Sequence, residues 1–480
     1  MRNKLLVFAL ALVIGVTGCS KNPSLVEEPE GPTTGVVEVS GDITANTNWT
    51  ADKIYLLKGN IFVTNNTTLT IAPGTIIKGD KATKGALIIS RGSKINAAGT
   101  VDKPIVFTSS QASGARTPGD WGGLIILGKA VSNNGTSANV EGIPASLGEK
   151  TLYGGTDNAD NSGVLTYVRI EFAGIPLLPD VEINGLTLGG VGSGTVIDYV
   201  EVYRSGDDAF EFFGGSVNAK HLIAIGTVDD DFDTDNGYSG RVQFALAQRA
   251  QVVADVSGSN GFESDNNSAG SAVAPLTSAV FSNMTIVGPQ LTATSTSGVN
   301  ANFQHGVQIR RNSSMSLFNS IIGNYPEGIF IDDALPATGN NSSANFLSGA
   351  LAIKGNLIYG SNTKSNEIKA SSVATKALLE TTLRAENSFV AGSSITELLT
   401  DPLKYGLDFK AAGNANAGTP DFTIKSGSVA ATGAAFTNAK LTSGFEVVLY
   451  KGAFGTTNWA AGWANFDPQV LPYTTPGAVK

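Results

Sequence analysis

Carboxylate side chains are concentrated on three short segments near the middle of this 480-residue sequence. The segments run from 207 to 211, from 229 to 235 and from 263 to 265, and they carry Asp207, Asp208, Glu211, Asp229, Asp230, Asp231, Asp233, Asp235, Glu263 and Asp265. A hard cation such as Ca²⁺ takes about six to eight oxygen ligands from a cluster of this kind. The alternative is a solvated acidic face on which some carboxyl groups keep their protons.

The acidic segments belong to a set of six segments that share one residue pattern. Each begins with a small residue or Asp231, at positions 185, 209, 231, 261, 306 and 328, and then alternates inward and outward positions. Such alternation is typical of β-strands, whose successive side chains point to opposite faces. The predicted inward side chains are Leu186, Phe210, Phe232, Phe262, Val307 and Ile329, and the outward ones are Thr187, Glu211, Asp233, Glu263, Gln308 and Phe330.

This alignment predicts where the carboxylates meet. Glu211, Asp233 and Glu263 form one outward row, and Asp235 and Asp265 form a second row two residues further along. Neighbouring strands lie about 4.8 Å apart, so like charges in one row repel unless something compensates them. We therefore predict a Ca²⁺ site with these five carboxylates as ligands and with Asp233 and Glu263 at its centre.

Basic and amide side chains continue the same rows beyond the acidic ones. Gln308, Arg310 and Arg311 follow at the next repeat, and they are predicted to bind a ligand such as an acidic sugar. Arg310 is also expected to form an ion pair with Asp265 or Asp332.

Two enzyme arrangements known on β-helices resemble this combination. Pectate-lyase-like enzymes bind an acidic sugar through Ca²⁺ and remove a proton with a basic side chain, whereas polygalacturonases use aspartates as acid and base. Gly-Asp-Asp at 206–208 and His-Gly at 305–306 are similar to polygalacturonase motifs, but Gln-Ile-Arg-Arg at 308–311 stands in place of Arg-x-Lys. Arg310, Asp208 and His305 are candidate catalytic residues, and whether the protein is an enzyme stays open.

The spacing of the six segments indicates the architecture that positions these side chains. Successive segments start 24, 22, 30, 45 and 22 residues apart. Coils of roughly 20–30 residues are typical of a parallel β-helix, whereas a β-propeller needs about 40–50 residues per blade. We therefore predict an all-β parallel β-helix, in which the 45-residue step holds a long loop, 268–302, or an extra coil.

Shorter internal matches add to the evidence for a repeat. Residues 167–170 match residues 199–202 at an offset of 32, and residues 69–74 match residues 87–92 at an offset of 18. Self-similarity of this kind is the sequence signature of a repeat architecture.

The N-terminus predicts an exported protein with a lipid anchor. Residues 5–16 are apolar, follow two basic residues and are too few to span a bilayer, which is typical of a signal peptide over 1–18. Cys19, the only cysteine, follows Val-Thr-Gly as in a bacterial lipobox, so we predict that it is lipidated. The alternative is an ordinary secretory signal. Residues 19–35 are predicted to be a flexible tether, and 36–480 one β-helix domain with loop insertions and a C-terminal cap.

Composition excludes some classes of function. A formal net charge of −9 argues against nucleic acid as a partner. Two histidines and one cysteine leave no zinc site. Trp459 and Trp463, with Phe454 and Phe466, form either a sugar-binding platform or, as we prefer, a cap on one end of the coil.

Four phrases carry a family resemblance, at residues 69–79 (LTIAPGTIIKG), 119–124 (GDWGGL), 205–215 (SGDDAFEFFGG) and 229–235 (DDDFDTD). In this order they resemble a family of β-helix lipoproteins from Bacteroidota, over nearly the whole mature chain. The resemblance implies a pectate-lyase-like right-handed β-helix and an outer-membrane address. It implies no particular activity.

Together these expectations predict a monomeric lipoprotein, held in a lipid bilayer through Cys19 at the outer membrane or cell surface. It is predicted to bind glycan along its groove with a structural Ca²⁺. A calcium-dependent polysaccharide lyase is one alternative, and an adhesin or protein scaffold is another.

Overall fold

The computed structural model describes residues 35–175, 182–335, 341–406 and 417–480. The predicted signal peptide, the predicted lipidation site Cys19 and nearly all of the predicted tether lie outside these residues. Residues 35–480 form one compact unit. In the part of the chain described, no helix is long and apolar enough to cross a membrane.

Parallel strands wind into a coil that confirms the predicted parallel β-helix. One sheet has ten strands, Asn60–Val63, Ala86–Ile89, Gly123–Leu127, Leu186–Gly189, Phe210–Phe213, Phe232–Asp235, Phe262–Ser264, His305–Ile309, Glu327–Ile331 and Ile368–Ala370. We call it the ten-stranded sheet.

A longer sheet of seventeen strands forms the rest of each coil. Its strands are Val36–Ser40, Thr47–Trp49, Ile54–Lys58, Thr68–Ile71, Ile76–Gly79, Lys94–Ala98, Ile105–Ser109, Gly163–Glu171, Val196–Tyr203, Asn218–Ile225, Arg241–Gln248, Val280–Val287, Ser316–Phe318, Ile321–Gly323, Ile353–Lys354, Leu357–Tyr359 and Ser388–Val390. We call it the long sheet.

Short elements complete the described fold. Antiparallel pairs join Ala138–Asn139 to Leu152–Tyr153 and Leu399–Asp401 to Asp421–Ile424. The α-helices are Ser342–Ser348 and Val373–Glu386. The 3-10 helices are Ala145–Thr151, Ile395–Glu397, Val429–Ala431, Ala439–Leu441 and Pro468–Val470.

The long sheet bends at a row of residues with left-handed backbone. Tyr167, Tyr199, His221 and Phe244 have φ angles of 51°, 55°, 49° and 60° and occupy the middle of its longer strands. This conformation is costly for bulky side chains. Stacking offsets the cost, because the ring centroids of successive members lie 4.4, 4.2 and 5.4 Å apart.

The core confirms the predicted strand register. Phe210 pairs with Phe232 and Phe232 with Phe262, and all three are fully buried. Their ring centroids lie 5.5 and 5.4 Å apart in stacked arrangements. Residues 167–170 also pair with residues 199–202, except where Tyr167 and Tyr199 interrupt the ladder.

The predicted repeat of 18 residues near the N-terminus is wrong. Leu69 pairs with Ile95 in the long sheet, and Leu87 pairs with Ile61 in the ten-stranded sheet, a spacing of 26 residues in both cases. Residues 69–74 and 87–92 therefore belong to different faces. Their likeness arises because each strand is followed by a glycine turn, at Gly74 and Gly92, both with positive φ.

The 45-residue step is one coil with long loops. Between Phe262–Ser264 and His305–Ile309 the chain forms the single strand Val280–Val287. This strand pairs with Arg241–Gln248 in the long sheet, so no extra coil is inserted.

The C-terminal segment, which was predicted to cap the coil, packs against the side of the coil in the described residues. The segment returns along the side of the coil, where Tyr473 packs with Ile54 and Val106 of the first coils and Arg169 Nη2 donates to the Val479 carbonyl at 2.5 Å. The last coil is covered instead by the helix Val373–Glu386, whose Leu379 and Leu383 are buried in the main core. A tryptophan-rich sequence alone does not indicate whether a segment packs on the side of the coil or covers its end.

Candidate functional site

The outward face of the ten-stranded sheet carries the predicted acidic row. Hydrogen-bonded register places these residues in one line across the strands: Thr187, Glu211, Asp233, Glu263, Gln308, Phe330 and Lys369. The order is the one that the sequence alignment predicted. It brings Glu211, Asp233 and Glu263 onto consecutive coils.

A second polar row, which the sequence reading missed, lies three residues before the first. Its members are Asn184, Asp208, Asp230, Asn260, His305 and Glu327. Asp208 Oδ1 accepts from the Asp230 amide at 2.8 Å, and Asp230 Oδ1 accepts from the Asn260 amide at 2.5 Å. The side chains of Asp208 and Asp230 thus each bind the backbone of the next coil. The sequence pattern that could have identified this row is an Asp or Asn two residues before each inward phenylalanine.

Asp208 stands where the two rows meet. Oxygens of Asp208, Glu211 and Asp233 all lie within 4.8 Å of one another, and so do oxygens of Asp207, Asp208 and Asp229. Asp208 is shared by both groups. Asp207 and Asp229, which were not among the predicted ligands, join the cluster because their turns stack on consecutive coils.

Three polar atoms in this cluster are buried and have no hydrogen-bond partner within the described residues. They are Asp229 Oδ1, Asp233 Oδ1 and Asn184 Oδ1. Asn184 is 2% exposed, and its Nδ2 donates to Glu211 Oε2. Buried polar atoms are rarely left unpaired in folded proteins. The cluster therefore has capacity for a further partner.

Burial and repulsion together shift the acidity of the cluster. Burial, and then the charges of neighbouring carboxylates, raise the pKa of Asp207 to about 8. The same causes raise the pKa of Asp208, Glu211 and Asp233 well above their usual range. The buried cluster therefore favours the protonated form of these groups, and a bound cation would favour their charged form instead.

Glu263 and Asp265 were both predicted to bind Ca²⁺, and both contact arginine side chains. Arg310 contacts Glu263 through Nη2 and Asp265 through Nε, the latter at 2.9 Å. Arg311 adds a bond of 2.6 Å from Nη1 to Asp265 Oδ2. The centre of uncompensated charge therefore lies at Asp208, Glu211 and Asp233 and not at Asp233 and Glu263.

Two other acidic residues of the segment 229–235 have environments that differ from each other. Asp235 pairs in register with Phe213, and burial followed by the charge of Asp265 raises its pKa to about 7. Asp231, by contrast, is fully buried and forms an ion pair of 2.9 Å with Arg249, which is also fully buried. Asp231 therefore serves the interior and does not belong to the acidic face.

Arg310 is not suited to act as a base. Burial opposes its charge, but the charges of Glu263 and Asp265 outweigh that effect and raise its pKa. The predicted pairing of Arg310 with Asp265 is confirmed. Asp332, the other expected partner, accepts from the Ser371 hydroxyl at 2.7 Å.

The structure separates the residues of the polygalacturonase-like hypothesis. Asp208 and His305 lie in the same row but three coils apart, a separation of roughly 14 Å at the usual strand spacing. His305 is 1% exposed and bonds Glu327 at 2.6 Å and Asn260 at 2.9 Å. The two residues cannot act together on one bond.

The remaining predicted ligand residues keep a polar strip beside the cluster. Gln308 is 6% exposed between Glu263 and Phe330. Arg310 and Arg311 keep roughly a quarter of their side chains accessible, at 26% and 29%. With Lys369 of the same row, whose side chain is 35% exposed, they are positive groups that an anionic ligand on this face could reach.

Comparison with known proteins gives a family model and solved structures that are similar to this chain. A family model described as a pectate-lyase like beta helix domain matches residues 41–398, which supports the right-handed coil. The crystal structure of pectate lyase Pel9A has 10% identity, coverage of 86% of this chain and 98% of that chain, and a TM-score of 0.38. The Dettilon tailspike protein has 9% identity, coverage of 68% and 62%, and a TM-score of 0.24. None of the curated proteins has a matching sequence.

Proposed function

The chain belongs to the family of pectate-lyase like β-helix domains, and from that premise we propose that it binds glycan on an acidic, Ca²⁺-holding face. The observation that carries the proposal is the group of three carboxylates, Asp208, Glu211 and Asp233, whose oxygens lie within 4.8 Å of one another. A face built only for solubility would not need to bury them together.

Calcium fits the chemistry of this donor set. All the donors are carboxylate oxygens or an amide oxygen, which are the ligands that Ca²⁺ prefers. Asp208, Glu211 and Asp233 would hold the ion, with Asp207 and Asp229 beside them. The buried oxygens of Asp229 and Asp233 that have no described partner support this assignment. Glu263, Asp235 and Asp265 would contribute to the field around the ion and not to its binding.

The glycan would lie across the ten-stranded sheet. Gln308 lies two strand spacings, or roughly 10 Å, from Asp233, with Glu263 on the strand between them. The guanidinium of Arg310 contacts Glu263, so its charge lies next to the coil of Asp233. An acidic sugar could place one carboxylate on the cation and another on Arg310 or Arg311. Guanidinium groups suit this role because they bind carboxylates with two parallel hydrogen bonds.

The address of the protein is part of the same proposal. The lipobox-like run that ends at Cys19 supports a lipid anchor in the outer membrane or at the cell surface. A monomer with its glycan face exposed would then bind polysaccharide near the membrane.

A calcium-dependent polysaccharide lyase is the second candidate, favoured by basic side chains next to the carboxylate cluster. A lyase needs a base that accepts a proton, and Arg310 is held in its charged form by Glu263 and Asp265. Lys369 reaches the same face, but its Nζ donates to Glu327 at 2.9 Å. Binding is therefore the better supported function.

A polysaccharide screen separates the candidates. The protein from residue 33 onward is incubated with acidic and neutral polysaccharides, with Ca²⁺ or with EDTA. We expect Ca²⁺-dependent retention of an acidic polysaccharide and no new product absorbing in the ultraviolet. Unsaturated ends would establish the lyase. No binding to any polysaccharide would contradict both candidates and leave an adhesin or protein scaffold. Asp233→Asn should lose the Ca²⁺-dependent retention. Asp42→Asn, which removes a carboxylate away from the site, is the matched control and should keep it.

A further inference from the structure

A small cavity lies on the other side of the molecule from the ten-stranded sheet. Its volume is about 250 Å³, and its wall includes the rings of Tyr450 and Trp459 and the side chains of Thr456 and Thr457. Trp459 packs edge-on against Tyr199 and His221 of the long sheet. The cavity is therefore separate from the acidic face.

The aromatic wall is fixed before any ligand binds. The Trp459 ring stacks on Phe454 with centroids 4.5 Å apart and planes 2° apart, and its Nε1 donates to the Ala453 carbonyl at 2.9 Å. The Ile424 amide donates to the Gly455 carbonyl at 2.9 Å, which anchors the adjoining turn. Rigid walls reduce the entropy lost on binding.

Of the four aromatic residues predicted to form a sugar-binding platform or a cap, Trp459 is the one that lines this cavity. Trp463 is 1% exposed and stands edge-on to Tyr167 and Tyr199, so it is part of the core beneath. Phe454 is likewise buried behind Trp459. The aromatic surface available to a ligand is therefore the indole ring of Trp459 and the phenol ring of Tyr450.

The chemistry of the wall selects a neutral ligand with one apolar face and several hydroxyl groups. Within the described residues, the lining includes no charged side chain. A charged ligand would lose hydration there without gaining a partner. The rings offer apolar surface, while the exposed Thr456 and Thr457 each offer a donor and acceptors. A pyranose ring combines axial C–H groups with peripheral hydroxyls.

We propose that this cavity binds a neutral pyranose unit, with its C–H face against Trp459 and Tyr450 and its hydroxyls on Thr456 and Thr457. The site acts independently of the acidic face and needs no cation. A chain with both sites would hold two different saccharides, an anionic one on the ten-stranded sheet and a neutral one here.

Titration with methyl glycosides tests the proposal. The purified protein in EDTA is titrated with the methyl glycosides of glucose, galactose and mannose and followed by calorimetry and tryptophan fluorescence. We expect saturable binding of at least one of them. Thr456→Trp should fill the cavity and weaken that binding by about tenfold or more. Ser443→Trp, an exposed position in the same segment, should leave it unchanged.

Three results would overturn the neutral-sugar site. They are no saturable binding of any methyl glycoside, equal binding by Thr456→Trp and wild type, or binding of cyclohexanol in place of the sugars. Equal melting temperatures of the two tryptophan variants would show that both are folded. Because EDTA is present throughout, the outcome is distinct from success or failure of the Ca²⁺ site.

Discussion

The carboxylates of Glu211 and Asp233 stand one above the other on consecutive coils, as register partners in the ten-stranded sheet. With Asp208 they form a group whose oxygens lie within 4.8 Å of one another. Within the described residues neither has a basic side chain in an ion pair, whereas Glu263 on the next coil contacts Arg310. The row therefore changes from uncompensated to compensated charge within one strand spacing.

This charge pattern predicts an unusual dependence of stability on pH in EDTA. Burial and repulsion raise the pKa of Asp207 to about 8 and of Asp235 to about 7, above the unfolded value of about 4. The folded protein therefore binds more protons than the unfolded protein in this window. The contribution of these two groups to the free energy of unfolding is therefore greatest below about pH 4 and falls as the pH rises toward 8.

Thermal melting in EDTA from pH 5 to pH 8 checks this prediction. We expect the melting temperature to fall over this range and the fall to be smaller when Ca²⁺ is present. A melting temperature that rises steadily with pH in EDTA would show that the carboxylates are not held together as the structure has them.

Glu201 offers a separate test away from the acidic face. It is fully buried beneath the C-terminal segment, and the backbone N–H of Asn465 donates to Glu201 Oε2 at 2.8 Å. Burial raises its pKa to about 8, although the charge of Arg169 opposes the shift. Because this pKa is also higher in the folded protein than in the unfolded protein, ionisation of Glu201 destabilises the fold as the pH rises. Glu201→Gln should flatten the profile of melting temperature against pH, whether or not Ca²⁺ is present. A profile equal to that of wild type would contradict the raised pKa of Glu201.

The stacked phenylalanines predict a large loss of stability on truncation. Phe232 lies between Phe210 and Phe262 and is fully buried. Phe232→Ala should reduce the free energy of unfolding by about 3–5 kcal/mol, as usual for a buried aromatic side chain. Val256→Ala, at a position 90% exposed, should change it by less than about 0.5 kcal/mol. Denaturant unfolding of both variants makes the comparison, and equal losses would refute the register.

The core could be predicted from the sequence because strand alternation alone sets which side chains point inward. Phe210, Phe232 and Phe262 followed from that rule. The row of Asp208, Asp230 and Asn260 did not, since these residues lie in turns, where the direction of a side chain depends on local φ and ψ. The contact of Arg310 with Glu263 depends on long side-chain torsions, which no residue spacing encodes.

The C-terminal segment was harder to place because it lacks a repeat. Its position along the side of the coil is fixed by single polar contacts, such as Asn465 with Glu201 and Tyr473 with Glu171. These pairs are more than 260 residues apart in sequence. Nothing in the local pattern of either partner identifies the other.

The lipid anchor is tested in cells. If Cys19 is acylated, Cys19→Ser should move the protein from the membrane fraction to the soluble fraction. Exchanging Ser20 for Ala in parallel controls for changes near the cleavage site. A Cys19→Ser protein that stays wholly in the membrane fraction would rule out the anchor.

The effect of Ca²⁺ on thermal melting at neutral pH tests the central claim most directly. An ion that binds only the folded protein must raise the melting temperature with its concentration, by mass action. We predict a rise of several degrees between EDTA and millimolar Ca²⁺ for wild type and for Asp42→Asn. Asp233→Asn and Asp208→Asn should lose most of that rise. A wild-type melting curve that is the same in EDTA and in millimolar Ca²⁺ would contradict the proposed site, and with it the cation-dependent binding of an acidic glycan.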